Sequence, residues 1–185
     1  RKLCAVYRAL TYSMACSSGE EAVNLLVHSD RIQGDLEEYA KGEIKCSFNV
    51  VIREFTYFDP DLEFRAFVSN RRITAITQYN QWAFFPRVNK MKEQITAFLE
   101  REVREKVLPA IPLDNAVLDL VLVPTSDLSA KSEVQRGERF DGLELKVIEL
   151  NPLAEFAGAG LFTWESDRQV LLGNAPFEFR MCSCT

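Results

Sequence analysis

A single histidine, His28, serves the whole 185-residue chain. Histidine is the usual proton carrier beside a Ser or Cys nucleophile, so a Ser/His/Asp or Cys/His catalytic set has only this residue to draw on. It sits beside a helix end, where it reads as structural or solvated. Positive charge is also short: 22 Lys and Arg stand against 27 Asp and Glu, for a net charge of −5 and a pI near 5.1. A basic face for nucleic acid is therefore not expected, and an anionic ligand has to be met by locally placed cations. The cysteines, Cys4, Cys16, Cys46, Cys182 and Cys184, are odd in number and irregularly spaced, which fits neither a disulfide framework nor a tetrahedral zinc site. Cys182-Ser183-Cys184 is a lone C-x-C and reads as free thiols. No run approaches the ~18 consecutive apolar residues of a membrane span, and no charged segment leads an apolar run with a cleavage site. These scarcities predict a soluble protein of the reducing cytoplasm with no membrane partner. The opening Arg1-Lys2-Leu3 contains no Met, and the expectation is a piece of a longer polypeptide.

Hydrophobic residues are plentiful, at 47%, enough for one real core. Ser17-Ser18-Gly19-Glu20-Glu21 offers a capping hydroxyl with a carboxylate three residues on, predicting a short helix over the apolar Ala22, Val23, Leu25 and Leu26. Arg31 to Lys41 predicts a second helix, stopped by Gly42. From Lys45 the period changes: Cys46, Phe48, Val50, Ile52 and Phe55 approximate the alternation of a half-buried strand. After the Asp59-Pro60-Asp61 turn, residues 63–68 and 73–77 flank Ser69-Asn70-Arg71-Arg72 and predict a β-hairpin. Met91, Ile95, Phe98, Leu99, Val103 and Val107 recur at helical spacing, predicting an amphipathic helix over 89–106 that ends at Pro109 and Pro112. Residues 116–123 and 145–150 read as strands joined by a polar, exposed loop over 126–142, and a last short strand lies near Phe177-Glu178-Phe179-Arg180. The expected fold class is α+β, an antiparallel sheet with packed helices, forming a single lobe over residues 1–185.

Polar residues interrupt two of the apolar strands. Asp119 stands within Val117 to Leu122, and Glu149 with Asn151 stands within Val147 to Pro152. Glu149 and Asn151 are two apart and share a strand face, and a neighbouring strand can set Asp119 beside them. Two carboxylates and an amide, completed by phosphate oxygens and water, suit a hard octahedral Mg²⁺. The same residues also fit a plainer arrangement, with the acids facing solvent from edge strands and Asn151-Pro152 making a turn. Arg53 lies in an apolar strand pattern and Arg65 lies two residues from Glu63 on one face. Each offers the fixed donor fork that a triphosphate needs, and a structural Glu63–Arg65 pair or a pairing with other sheet carboxylates is the alternative.

Taken in order, Ser29-Asp30-Arg31-Ile32 with Asp35-Leu36, Ile52-Arg53-Glu54-Phe55, Glu63-Phe64-Arg65-Ala66-Phe67-Val68 and Ile76-Thr77-Gln78 form one set of motifs. Leu118-Asp119-Leu120, Ile148-Glu149-Leu150-Asn151-Pro152, Leu161-Phe162-Thr163-Trp164-Glu165 and Phe177-Glu178-Phe179-Arg180 continue it. Over about residues 13 to 181 the chain resembles the C-terminal part of the cell division cycle protein 123 family. The resemblance implies an ATP-grasp fold, ATP and Mg²⁺ as cofactors, and an ATP-dependent assembly chaperone whose partner is the γ subunit of translation initiation factor 2. It implies magnesium ligands at Asp119, Glu149 and Asn151, with Glu149 standing for an Asp of the family. It implies nucleotide contacts at Arg53, Thr56, Glu63 and Arg65: Arg53 and Thr56 on a hinge strand, Glu63 toward the sugar, Arg65 toward phosphate. Glu54 occupies a nucleotide-side position where the family often has Lys, and Tyr79 replaces an Arg. The family's N-terminal lobe, with its phosphate-side lysine, has no counterpart here.

Three functions follow as expectations. The first is the ATP- and Mg²⁺-binding assembly factor, with Phe58-Asp59-Pro60-Asp61 and Trp82-Phe84-Phe85 as partner-facing or core aromatics. The second is an ATP-grasp ligase or phosphotransferase. The third is an interaction module that binds no nucleotide, favoured by Glu54 and Tyr79.

Overall fold

The computed structural model describes residues 2–43, 45, 47–125 and 142–183. The expected polar loop falls outside them for residues 126–141, as do Cys46 and Cys184. The chain forms two compact units, Arg1–Thr56 and Tyr57–Thr185.

The first unit is helical. Helix α1 spans Lys2–Tyr12, α2 Gly19–Val27 and α3 Asp30–Ala40. The cap of α2 is a reciprocal one: Glu21 donates its N–H to Ser18 Oγ at 3.1 Å, while its carboxylate accepts from Ser17 N–H at 2.6 Å. The Ser17 N–H and the Ser17 hydroxyl, which also donates to that carboxylate at 3.0 Å, pull the Glu21 carboxyl below its ordinary range. Ser29 caps α3, and Gly42, at φ +77°, follows its end. Neither α2 nor α3 buries a side chain. Edge-on ring contacts, Tyr39 to Phe48 at 5.3 Å and Tyr12 to Phe55 at 6.4 Å, tie the following extended segment to the helices.

That segment corrects the expected strand around residues 46–55, because the described residues over 47–59 join no ladder. Alternation marks which side chains could share a face, but a strand exists only where a neighbour takes its backbone groups. Here Val50, Val51 and Ile52 are exposed.

The second unit is a five-stranded sheet in the order β4-β3-β1-β2-β5. Its strands are β1 Glu63–Ser69, β2 Arg72–Gln78, β3 Ala116–Pro124, β4 Leu143–Asn151 and β5 Glu178–Arg180. The first four pair antiparallel, and β5 joins β2 in parallel. Asn70 and Arg71, both left-handed at φ 51° and 58°, make the two-residue turn whose twist matches the β1–β2 hairpin. Arg71 is held in that unusual state because its N–H reaches Asp114 O at 2.8 Å and its guanidinium reaches the carbonyls of Leu108, Ile111 and Leu113.

The expected long helix is present but broken. Short α4, Pro86–Lys90, precedes α5, Lys92–Glu102; a π-turn over Val103–Val107 then leads into α6, Leu108–Ala110. Pro109 does not stop the helix. It lacks an N–H and would collide with the carbonyl four residues back, and the widened π-turn makes room for the ring. Met91, Ile95, Leu99, Val103 and Val107 form the buried stripe, while Phe98 is half-buried under Arg101.

Alternation gives the sheet two unlike faces. Phe64, Ala66, Ile76, Leu118, Leu120 and Leu122 are fully buried on one, where Phe64 meets Phe179 edge-on at 5.9 Å and Lys92 of α5 lies over the Phe179 ring. On the other, Phe67, Ala75 and Val117 pack with Ala157, Phe162, Val170 and Leu171 from the segment after β4, which includes α7, Arg168–Leu171. Between Val117 and Val121 this second face is interrupted by polar side chains, which carry the candidate site. No helix among the described residues is long and apolar enough to cross a membrane.

Candidate functional site

The strand register sets a polar row across the half-apolar face. Glu149 of β4 stands opposite Asp119 of β3, Asp119 opposite Arg65 of β1, Arg65 opposite Thr77 of β2, and Thr77 opposite Arg180 of β5. Directly paired residues project to the same side of a sheet, so five side chains from five strands line up. Beside Glu149 the β3–β4 ladder carries a bulge: Asp119 pairs with Glu149 but Leu120 pairs with Val147, leaving Ile148 as the extra residue. A bulge re-aims the residues that follow it, here Glu149 and Asn151.

Asp119 is the buried centre, with 1% of its surface exposed. Arg65 grips it with Nε donating to Oδ1 and Nη2 to Oδ2, both at 2.7 Å. Asn151 Nδ2 lies 3.5 Å from the same Oδ2. Arg65 also donates from Nη1 to the Gly158 carbonyl at 2.6 Å and lies over the Tyr79 ring at 5.2 Å. Of its five N–H groups, these bonds leave one on Nη1 and one on Nη2 for another acceptor.

Glu63, two residues before Arg65 on the same face, makes the cluster rich in carboxylates. Burial, then the charge of Asp119, push its carboxyl up to about 7 against the opposing pull of Arg65. The Tyr79 phenol is likewise pushed up by burial and by the charges of Asp119, Glu63 and Glu149. The Arg65 guanidinium thus acts on Glu63, Asp119 and Glu149 alike. Among the described residues, no group of three or more His, Cys, Asp or Glu has metal-holding geometry. A cation held here would need the Asn151 amide and ligand or water oxygens beside the carboxylates.

Glu63, Arg65, Asp119, Glu149 and Asn151 all belong to the second unit and to this face. Arg53, Glu54 and Thr56 lie in the extended end of the first unit. Of the aromatics expected to face a partner or to pack in the core, Trp82 is 74% exposed, Phe85 is buried, and Phe58 and Phe84 are half-buried.

Sequence reasoning missed the residues that fasten the chain after β4. Leu161 N–H donates to Thr77 Oγ1 at 3.3 Å. Arg180 forks onto Asp167, Nη1 to Oδ2 at 2.8 Å and Nη2 to Oδ1 at 2.7 Å, with its guanidinium 4.2 Å from the Phe162 ring centre. Trp164 Nε1 donates to the Ala157 carbonyl at 2.7 Å, and Trp164 and Phe162 both meet Phe67 edge-on. The signal was present in the Leu161 to Glu165 and Phe177 to Arg180 motifs, whose partners no spacing rule connects.

The model of the D123 family matches residues 5–182. The chain belongs to the D123 family. Similar proteins include one of Emericella nidulans named translation initiation factor eIF2 assembly protein, 29% identical over 177 residues, which cover 86% of this chain and 39% of that one. A protein of Aspergillus terreus named cell division cycle protein 123 is 27% identical, with 86% and 38% covered. The eIF2 assembly protein of Xenopus laevis is 24% identical, with 90% and 46% covered. The chain therefore spans less than half the length of each of these relatives. The structure of Cdc123 from Schizosaccharomyces pombe shares the fold, with a TM-score of 0.62 at 21% identity over 91% of this chain and 63% of that one.

Proposed function

We propose that this chain supplies the metal-side face of an ATP- and Mg²⁺-binding site in a cytoplasmic assembly factor for eIF2, acting through the γ subunit. The observation that carries the reading is the polar row in which buried Asp119 stands between Arg65 and Glu149. The names of the Emericella nidulans and Xenopus laevis relatives support the eIF2 role, and the ATP-grasp resemblance supports the nucleotide.

The donor set fits a hard cation. Asp119, Glu149 and the Asn151 amide offer oxygen ligands, and a half-turn of that amide presents its Oδ1 where Nδ2 now faces Asp119. When bound, Mg²⁺ would supply charge neutralisation to phosphate oxygens. Arg65 would keep Asp119 oriented while its two remaining N–H groups meet an anionic oxygen. The partly buried Glu63 would accept from a sugar hydroxyl when ionised.

Titration calorimetry with ATP, with and without Mg²⁺, tests this reading. The expected result is Mg²⁺-dependent binding that Asp119→Asn abolishes; binding indifferent to both would remove the site. Capture of purified eIF2 γ subunit by the chain, tested with and without nucleotide, addresses the partner. One observation favours the non-nucleotide module: Arg65 already satisfies both oxygens of Asp119. Absence of any ATP binding together with retained γ-subunit capture would decide for it.

A further inference from the structure

The segment between Ala157 and Asp167 crosses the polar row and is fastened to it at successive strands. Arg65 of β1 donates to Gly158 O, Thr77 of β2 accepts from Leu161 N–H, and Arg180 of β5 grips Asp167 and approaches Leu161 O at 3.5 Å. It comes close to the sheet at Gly160. That residue is left-handed at φ +67°, and a Cβ on it would overlap Thr77 Cγ2 and lie 3.2 Å from Thr77 Oγ1. Gly158 is also tight, since a Cβ there would stand 3.1 Å from Arg65 Nη1. Only glycine lets the backbone settle this deep, and the depth is what brings the Gly158 carbonyl within reach of the guanidinium.

We propose that Gly160 seated on Thr77 is the positioning contact for Arg65, setting the Gly158 carbonyl so that the guanidinium is held square to Asp119. Gly160 and Thr77 are positioning residues that act through Gly158 and Arg65. Arg65 has four soft torsions, and a carboxylate on one side alone leaves the plane of the fork free to swing. The Gly158 carbonyl closes a second side and the Tyr79 ring a third. The inference deepens the nucleotide reading and rests on it only for the ligand measurement below; the arrangement of Arg65 stands without ligand.

The molecule contains its own control. Gly173 is also left-handed, at φ +77°, and a Cβ there would lie 2.7 Å from Cγ2 of Thr74, another threonine of β2. Gly173→Ala therefore introduces the same kind of strain and overlap, away from Arg65. The probe is hydrogen exchange of the Arg65 Nε–H in the NMR spectrum of the 185-residue chain, assigned by its loss in Arg65→Lys. Gly160→Ala is expected to speed that exchange by about tenfold, the scale of one lost charge-assisted hydrogen bond. Gly173→Ala is expected to leave it within about twofold even if the melting temperature falls as far, and adding Thr77→Ser to Gly160→Ala, which removes the overlapped methyl, is expected to recover part of the protection.

Should Gly160→Ala fail to fold, Thr77→Val keeps the shape and deletes the hydroxyl that accepts from Leu161 N–H and donates to Gln78 O, and it is expected to speed exchange in the same direction. Unchanged Arg65 exchange in a folded Gly160→Ala or in Thr77→Val overturns the proposal, as does an equal effect from Gly173→Ala. Calorimetry with Mg²⁺ and ATP on the same proteins separates the two readings. Failure of the wild type to bind sinks the nucleotide function while the Arg65 exchange result stands, whereas wild-type binding with unaltered exchange in the variants sinks the positioning role alone.

Discussion

Arg65 meets Asp119 from the directly opposed position on the next strand, and both carboxylate oxygens accept from the one guanidinium at 2.7 Å. The side chain of Asp119 is 2% exposed and that of Arg65 14%, so neither has much water to turn to. The pair makes one electrostatic object: a negative charge that can stay inside the sheet face because a planar cation is held against it.

Breaking it from either side strands a buried charge. Arg65→Met is expected to lower stability by about 3 kcal/mol, within the range for removing one partner of a buried pair, measured by urea denaturation. A loss under ~1 kcal/mol would mean that Asp119 finds other donors.

Glu63 gives a pH signature. Its carboxyl titrates near 7 in the fold, against a reference value of 4.5, so the folded state holds the proton more tightly than the unfolded chain. That contribution to stability is fully present below about 4.5 and is lost as pH rises through about 7. Denaturation curves collected between those limits should show the wild type losing ground to Glu63→Gln as pH increases; a constant gap would contradict the raised carboxyl.

Arg180→Lys keeps the charge but loses the fork onto Asp167 and the stacking on Phe162. The expected cost is about 1–2 kcal/mol, with Asp167 losing the donors that hold its carboxyl below the usual range. Chemical denaturation gives the first quantity and a carboxyl titration by NMR the second.

Phe67 has no exposed surface and touches Phe162 and Trp164 edge-on. Phe67→Ala should therefore cost about 3–5 kcal/mol through the cavity it leaves. In the helical unit, Ser18→Ala removes the acceptor for Glu21 N–H and should cost about 1 kcal/mol, seen as a loss of far-ultraviolet helical signal at lower denaturant than in the wild type.

Local signals carried most of the fold. Ser18 with Glu21, Gly42, and Asn70-Arg71 between two alternating runs each act within a few residues, and each stands where spacing put it. The segment around Val50 to Phe55 had the right alternation and no ladder, because pairing is a property of two strands and the sequence displays one at a time. The same reason hid the strap over the polar row. Thr77, Gly160 and Arg180 look unremarkable in their own neighbourhoods, and only the register, which joins residues about a hundred positions apart, gives them a common task. Asp119 and Glu149 were conspicuous as acids inside apolar runs, and a pairing of Arg65 with another sheet carboxylate was one expectation, but nothing local said that Asp119 would be the one it holds.

The parallel seating of β5 on β2 bears on the order in which this unit can assemble. A ribosome delivers the β1–β2 hairpin long before Arg180 leaves the tunnel, so the nascent sheet waits with Asp167 ungripped and one border of β2 bare. Closure of the row is consequently a late, long-range event. A polypeptide cut short of Arg180 would keep the hairpin and its Arg65–Asp119 partner strands, yet leave the crossing segment latched on one side only.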